Sequence, residues 1–287
     1  MSGEFMSAYG YRLLNVFALE GQPLTGNPLC VFEDARGLDD ATMQALALQF
    51  NLSETTFILY SEVATARVRI FTPNFELPFA GHPTLGTAQV VRELHNAGDK
   101  LTLETKAGII PLSAERSMWT LQANAPRWRA VEATAAQFAD MLDLNIEDLS
   151  ATPLWVDTGT EQLIIPLATA DAVQRCNPKL ELLRRYASLN DKRFMAYVWA
   201  PDTAGNIAAR FFFAKGSLVV EDPATGSACA NLGGWFVATQ NTLPLTRKVY
   251  QGSAVGRPSA LTLKIDAQSR IFVSGIVIEL ARGVVTL

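Results

Sequence analysis

Three ionisable side chains of this chain of 287 residues could move or hold a proton: Glu54, His82 and Asp222. Glu54 stands just before the apolar run Phe57-Ile58-Leu59, in a chain with only 18% charged residues. A carboxyl group partly withdrawn from water has a raised pKa, so it can both take and give a proton near neutrality. The sequence therefore predicts an acid/base role for Glu54. The alternative is a solvated glutamate at the entrance of a strand.

Each of the other two ionisable side chains directly precedes a proline, Pro83 or Pro223, a residue type that favours the first turn of a helix. At a helix N-terminus the dipole disfavours an imidazolium, so His82 is predicted to be neutral. A purely structural capping histidine is the alternative. Asp222 is predicted to be the N-cap of a second helix that starts at Pro223. It could also orient an imidazole or hold a substrate amine.

Small and hydroxylated residues accompany these prolines. Gly81 and Gly226 would let backbone N–H groups approach a substrate carboxylate, and Thr87 and Ser227 could donate to it. The alternative for both hydroxyls is a bond back to their own helix turns. Cys229 lies in the first turns of the second helix, where the pKa of a thiol can fall. A small buried helix residue is the favoured interpretation of Cys229, because no second thiol accompanies it.

The two proline-led segments form an internal repeat. Residues 83–88 and 223–228 both read Pro-x-x-Gly-hydroxyl-Ala, at an offset of 140 that is close to half the chain. The same offset sets His82 opposite Asp222 and Glu54 opposite Phe194. Such self-similarity predicts two structurally related halves. Because the corresponding residue is Phe194, the repeat does not require a carboxylate at position 54. Glu54 is thus a position at which the two halves differ, and this difference favours a specific role for it.

Apolar runs and turn residues predict many strands with one long central helix in each half, which indicates an α+β protein. The predicted helices are 38–50, 83–94, 133–142, 180–189 and the second central helix that starts at Pro223. The predicted strands are 11–17, 29–32, 57–60, 67–72, 101–105, 109–113, 119–122, 163–165, 194–199, 207–214, 260–266 and 272–287, with a further strand near Trp155 and a linker at 125–127.

Composition excludes several classes of function. A net charge of -4 without a long basic run makes nucleic acid and anionic membranes poor partners. Three widely spaced cysteines and two histidines predict neither a disulfide framework nor a metal site, and fit a reducing cytoplasm. The polar residues 1–10 lack the apolar core of a signal peptide, and residues 1–5 are left out of the fold argument. No glycine-rich nucleotide loop follows a strand, so no cofactor is expected.

These segments together resemble the phenazine-biosynthesis PhzF-like isomerase family. The matching segments are Ser53-Glu54, 79–88 and 221–228, with Thr25-Gly26-Asn27-Pro28 and Gly256-Arg257-Pro258-Ser259 in support. The resemblance runs from about Tyr11 to Leu287. It implies the diaminopimelate-epimerase-like fold, in which two similar domains each form a β-barrel-like roll around a central helix. The expected domains are 9–125, with a closing strand at about 278–287, and 126–277.

The resemblance also implies site residues and an assembly. The acid/base glutamate of the family corresponds to Glu54, and its supporting residues to Gly81, His82, Asp222 and Ser227. It further implies an active site between the domains and a homodimer. The related epimerases use two thiols, one at each helix start, whereas this chain offers His82 at the first.

The predicted function is therefore a cofactor-independent isomerase. Glu54 would move a proton between carbons of a small carboxylate-bearing substrate, with His82 and Asp222 in support. One alternative is an amino-acid racemase or epimerase that uses Cys229. A second is a non-catalytic binder of a small metabolite or partner protein.

Overall fold

A computed structural model describes residues 7–240 and 242–287, so the first six residues, including those set aside above, lie outside it. The strands, in chain order, are β1 (Ala8–Val16), β2 (Asn27–Phe32), β3 (Glu54–Leu59), β4 (Ala66–Phe71), β5 (Glu76–Leu77), β6 (Lys100–Thr105), β7 (Gly108–Glu115), β8 (Met118–Gln122), β9 (Arg127–Ala130), β10 (Leu154–Asp157), β11 (Glu161–Pro166), β12 (Ser188–Asn190), β13 (Arg193–Pro201), β14 (Ile207–Lys215), β15 (Leu218–Asp222), β16 (Leu245–Gln251), β17 (Ser259–Ile265) and β18 (Ile271–Thr286). The helices are α1 (Asp40–Phe50), α2 (Gly81–Leu94), α3 (Ala135–Leu142), α4 (Ala170–Arg175), α5 (Leu180–Tyr186) and α6 (Gly226–Ala238).

The chain divides into two compact units. The first contains the described residues up to 121 together with 275–287, and the second contains 122–274. The long strand β18 contributes residues to both units. Its start pairs with β17 in the second unit, and residues 277–286 pair with β1 in the first. The predicted linker 125–127 runs into β9, which begins at Arg127 and pairs with β10.

The strands of the first unit form a closed roll. Neighbouring strands pair in the order β1, β2, β3, β4, β6, β7, β8, with β2/β3 and β4/β6 parallel and the other pairs antiparallel. The end of β18 lies between β1 and β8 and closes the ring, and the N–H of Val277 donates to the carbonyl of Ser117 beside β8. A closed ring leaves no open strand edge around the helix inside it.

The second unit repeats this pattern of pairing. Its order β10, β11, β13, β14, β16, β17, β18 has the same sequence of antiparallel and parallel pairs, with β11/β13 and β14/β16 parallel. The short strand β15 pairs with β14 as β5 pairs with β4. The predicted α+β fold, with two similar rolls each built around a central helix, is confirmed.

The central helices α2 and α6 are buried on nearly every side, as expected of a helix that strands enclose. Close approach to the strands requires small residues on these helices. A Cβ at Gly86 of α2 would lie 2.5 Å from Cδ2 of Leu29, and one at Gly234 of α6 would lie 2.6 Å from Cγ1 of Val156. In the part of the chain that the structure describes, no helix is both long enough and apolar enough to cross a membrane.

Candidate active site

Glu54 is the first residue of β3, directly after the turn that follows α1. It lies beside Leu29 in the parallel β2/β3 pair. Its side chain is only 17% exposed. The strand therefore holds a largely buried carboxyl group at its start, next to the first residues of the neighbouring strand β2.

His82 is the second residue of α2, and its side chain is 7% exposed. The ring hydrogen-bonds to the carbonyl of Pro28. This bond uses Nδ1–H, because Nε2 has no hydrogen-bond partner among the described residues. Nε2 lies 3.4 Å from Oε2 of Glu54. The structure thus brings together two residues that the sequence offered separately.

Burial lowers the pKa of His82 to about 3 from its ordinary value of 6.5, while the bond to Pro28 acts in the opposite direction. A neutral ring agrees with the prediction, and burial is the larger of the two causes that act on its pKa. The contact between Nε2 and Oε2 therefore joins a neutral imidazole to a carboxyl group and is not an ion pair. With Nδ1 protonated, Nε2 presents its lone pair to Glu54.

The carbonyl of Pro28 is held in place by the turn between β1 and β2. The hydroxyl of Thr25 donates to the carbonyl of Gln22 over 2.7 Å and accepts the N–H of Leu19 over 2.8 Å. Gly26 has a φ of 86°, and a Cβ there would lie 2.6 Å from the carbonyl oxygen of Val16. Only glycine meets both requirements. The Thr-Gly-Asn-Pro segment thus fixes the acceptor that orients His82.

Two further predicted residues belong to α2. Gly81 is its buried first residue, where backbone N–H groups have no acceptor within the helix. Thr87 is fully buried, and its hydroxyl shares a 2.8 Å hydrogen bond with the hydroxyl of Thr56 on β3. That bond ties the helix to the strand and occupies the Thr87 hydroxyl in the interior.

The prediction that Asp222 is an N-cap and Pro223 the first helical residue is wrong. Asp222 is the last residue of β15, where it pairs with Phe211 of β14, and α6 begins only at Gly226. Its backbone is thus held by the strand and cannot cap the helix. The Asp222 carboxylate accepts the hydroxyl of Thr225, and the Asp222 carbonyl accepts Nε2 of Gln251 over 2.8 Å.

Ser227 is the second residue of α6 and is partly exposed. Its Oγ accepts a hydrogen bond of 3.0 Å from Nε2 of Gln162 on β11. The first backbone N–H of α6 to bond within the helix is that of Cys229, to the carbonyl of Thr225. The N–H groups before it belong to a helix N-terminus, which favours an anion. Gln162 and Gln251 were not predicted, and nothing in their local sequence signals a role.

When the two central helices are aligned by their first residues, the offset along the chain differs from the offset at which the sequence motif repeats. Their first residues, 81 and 226, are 145 apart, whereas the repeated motif has an offset of 140. By this alignment His82 corresponds to Ser227, since each is the second residue of its helix, and not to Asp222. Gly86 lies in the second turn of α2, so it is a packing residue and not the equivalent of Gly226.

Cys229 is fully buried in α6, and burial raises the pKa of its thiol. A buried thiol with a raised pKa is a poor acid/base group at neutral pH. Across residues 7–240 and 242–287, no group of three or more histidine, cysteine, aspartate or glutamate side chains is arranged to hold a metal ion.

Comparison with known proteins gives a consistent result. The family described as phenazine biosynthesis-like protein matches residues 14–283. An uncharacterized isomerase, PM1503, from Pasteurella multocida is 39% identical and covers 97% of this chain and 94% of its own length. The trans-2,3-dihydro-3-hydroxyanthranilate isomerase of Pseudomonas fluorescens is 33% identical over 97% of this chain and 100% of its own.

A solved structure supports the same assignment. The Bacillus anthracis phenazine biosynthesis protein of the PhzF family superposes with a TM-score of 0.86 at 25% identity, covering 98% of this chain and 100% of its own. Relatives over almost the whole chain are named isomerases, and the fold is shared along 98% of the chain. The chain is thus an isomerase that belongs to the phenazine biosynthesis-like (PhzF) family.

Proposed function

We propose that this isomerase moves a proton between two carbon atoms of a small carboxylate-bearing substrate, with Glu54 as the acid/base group and without a cofactor. The observation that carries the proposal is the contact of 3.4 Å between the Glu54 carboxyl group and the neutral Nε2 of His82. As a carboxylate, Glu54 removes a proton from carbon, and the electron pair shifts along an adjacent double bond. As the resulting acid, it returns that proton to another carbon of the same molecule.

His82 suits this cycle because it is a hydrogen-bond acceptor but a very weak base. Burial lowers the pKa of His82 to about 3, so the ring does not take the proton from Glu54 near neutrality. Its lone pair can nevertheless accept a hydrogen bond from the protonated carboxyl group. Between its removal from one carbon and its delivery to another, the proton is therefore carried by Glu54 and not by His82. The hydrogen bond to His82 orients the carboxyl group without taking its proton.

Residues of the second unit are proposed to hold the substrate. The N-terminus of α6, with Gly226 and Ser227, offers backbone N–H groups and a hydroxyl to a carboxylate. Asp222 offers a carboxylate to an amine or hydroxyl, and its side chain is already oriented by Thr225. Gly81 has the corresponding helix-start position in the first unit. Thr87 is left out of this proposal because its hydroxyl is bonded in the interior.

The substrate class follows from these groups and from the relatives. The Pseudomonas fluorescens enzyme is named for trans-2,3-dihydro-3-hydroxyanthranilate, a cyclic carboxylate with an amine, a hydroxyl and conjugated double bonds. A compound of that class has a carboxylate for α6, an amine or hydroxyl for Asp222, and carbon sites for Glu54. We therefore propose a cyclic dihydro-hydroxy amino acid as substrate.

Solvent-proton exchange tests the role of Glu54. Because the Glu54 side chain is 17% exposed, the proton it carries can exchange with solvent before it is returned to carbon. In deuterium oxide, with trans-2,3-dihydro-3-hydroxyanthranilate, the unmodified protein is therefore expected to place deuterium on a substrate carbon. Glu54→Gln keeps the size of the side chain but removes its basicity, and should lower incorporation about 10²-fold to 10⁴-fold. The matched control is Glu62→Gln, which makes the same change at an exposed position and should have no effect. Undiminished carbon exchange in Glu54→Gln would show that another group moves the proton.

A further inference from the structure

A buried chain of amides leads from the backbone near β11 to Ser227. Asn231 of α6 is completely buried, and Gln162 of β11 is 3% exposed. Oδ1 of Asn231 accepts the N–H of Thr158 over 2.9 Å, and its Nδ2 donates to the carbonyl of Thr160 over 2.8 Å. A backbone N–H can only donate and a carbonyl can only accept, so these two bonds fix which end of the Asn231 amide is oxygen.

The orientation of Asn231 then determines that of Gln162. The second N–H of Asn231 Nδ2 points at Gln162 over 2.7 Å, so the atom that receives it must be Oε1. The other end of the same amide, Nε2, therefore faces Ser227 and donates to its Oγ over 3.0 Å. Thr158, Gln162 and Asn231 are buried and Ser227 is partly exposed, and reversing either amide would set two donors or two acceptors against each other.

The consequence concerns the single proton of the Ser227 hydroxyl. Because Oγ already accepts the Gln162 amide, the hydroxyl proton has no acceptor on that side and is directed away from it. Ser227 thus presents a donor at the first turn of α6, next to the N–H groups of the helix start. Donors gathered at one point favour an anionic oxygen.

Resting on the function proposed above, we propose that Gln162 and Asn231 are positioning residues that fix the Ser227 hydroxyl as a donor to the substrate carboxylate. They act through Ser227 and do not themselves touch the substrate. Their presence makes the site selective for a group that only accepts hydrogen bonds. A neutral carboxamide in the same place, with its own N–H donors, should be disfavoured.

A binding assay with two matched ligands tests this inference. Anthranilate carries a carboxylate, and anthranilamide is its neutral counterpart of similar size. In Gln162→Glu the new carboxylate still accepts the N–H of Asn231 but also accepts the Ser227 proton, which turns the hydroxyl inward. Calorimetry should show anthranilate binding weakened about tenfold or more, the range expected for losing a hydrogen bond to a charged group, and anthranilamide binding changed less than threefold.

The added charge at position 162 could repel anthranilate without any change at Ser227. The double variant with Ser227→Ala separates these effects, since Gln162→Glu should then change anthranilate affinity less than threefold. An equal loss in the Ser227→Ala background would assign the effect to charge alone and overturn the inference. No loss in Gln162→Glu itself, or no binding of anthranilate by the unmodified protein, would also overturn it.

A second variant covers the case in which Gln162→Glu fails a thermal unfolding check. Asn231→Asp should reverse the Gln162 amide, so that its oxygen takes the Ser227 proton, and should produce the same selective loss of anthranilate. Retained selectivity for anthranilate over anthranilamide in a folded Asn231→Asp protein would overturn the inference. The binding series can be repeated in Glu54→Gln, where proton transfer is absent. A failure of the proposed isomerisation is therefore distinguishable from a failure of this inference.

Discussion

Replacing His82 by asparagine should remove a component of the acid sensitivity of the first unit. Burial lowers the pKa of His82 to about 3 in the folded chain, against an ordinary value of 6.5 that applies when the chain is unfolded. An asparagine can still donate an N–H to the carbonyl of Pro28, but it does not titrate. The difference in stability between the two proteins should therefore depend on pH.

The sign and size follow from proton uptake. Above about pH 7.5 the ring is almost entirely neutral in both states and the difference is nearly constant. As pH falls toward 3, the unfolded chain binds a proton that the folded chain excludes, so His82 costs stability at about 1.4 kcal/mol per pH unit. At pH 5, about 1.5 units below the unfolded value, the loss relative to pH 7.5 should be about 2 kcal/mol, and His82→Asn should not show it.

Urea unfolding at pH 7.5, 6 and 5, with hydrogen exchange of the α2 amides as the readout, reports the unit that contains His82. His95→Asn is the matched control, because His95 is the other histidine of the chain and is exposed. Its pH profile should follow that of the unmodified protein. If His82→Asn and the unmodified protein lose stability in parallel down to pH 5, the ring is not held neutral by burial and the role given to it beside Glu54 fails.

Two further predictions concern Cys229 and Gly26. Cys229→Ala should leave kcat/KM within about twofold, because the thiol is fully buried, and should lower the free energy of unfolding by about 1 kcal/mol for the lost packing. Loss of turnover would instead support a thiol-dependent racemase. Gly26→Ala should lower the free energy of unfolding by about 1–3 kcal/mol and reduce activity, because its Cβ would lie 2.6 Å from a carbonyl oxygen and displace Pro28. In the control Gly21→Ala, also at positive φ but with nothing within 4 Å of the new Cβ, only about 1 kcal/mol should be lost and activity kept. Equal urea midpoints for these two glycine variants would contradict the steric argument.

Apolar runs predict much of this fold because most strands of both units bury at least one face. Leu29 to Phe32 and Leu163 to Ile165 were predicted as strands and lie within β2 and β11, whose side chains are nearly all buried. The strand β16 was missed. Its sequence Leu-Thr-Arg-Lys-Val-Tyr-Gln is mostly exposed and has no apolar run. It is held by backbone pairing with β14 and β17, and such pairing leaves little trace in side-chain type.

Long-range contacts set a similar limit for the candidate site. Glu54 and His82 were each identifiable from residue type and neighbours, but their contact depends on how β3 and α2 pack. The Asp222-Pro223 pair predicts an N-cap, because such a pair favours the start of a helix. The pairing of β15 with β14 overrides that local preference and delays the helix to Gly226. Gln162 and Asn231 are 69 positions apart, and neither belongs to a motif.

The alignment of the two helix starts explains how one scaffold can give two different chemistries. His82 and Ser227 occupy the same position, the second residue of a central helix, and each is fixed from its inner side by one bond. His82 donates inward to the carbonyl of Pro28, which leaves Nε2 as an acceptor facing Glu54. Ser227 accepts inward from the amide of Gln162, which leaves its hydroxyl as a donor. Because one side chain donates to its partner and the other accepts, His82 has an acceptor left to offer and Ser227 has a donor left. The histidine therefore suits a proton held on a carboxyl group, and the serine suits an anion. The repeat supplies the position, and the hydrogen-bond partner of each side chain sets whether it presents an acceptor or a donor.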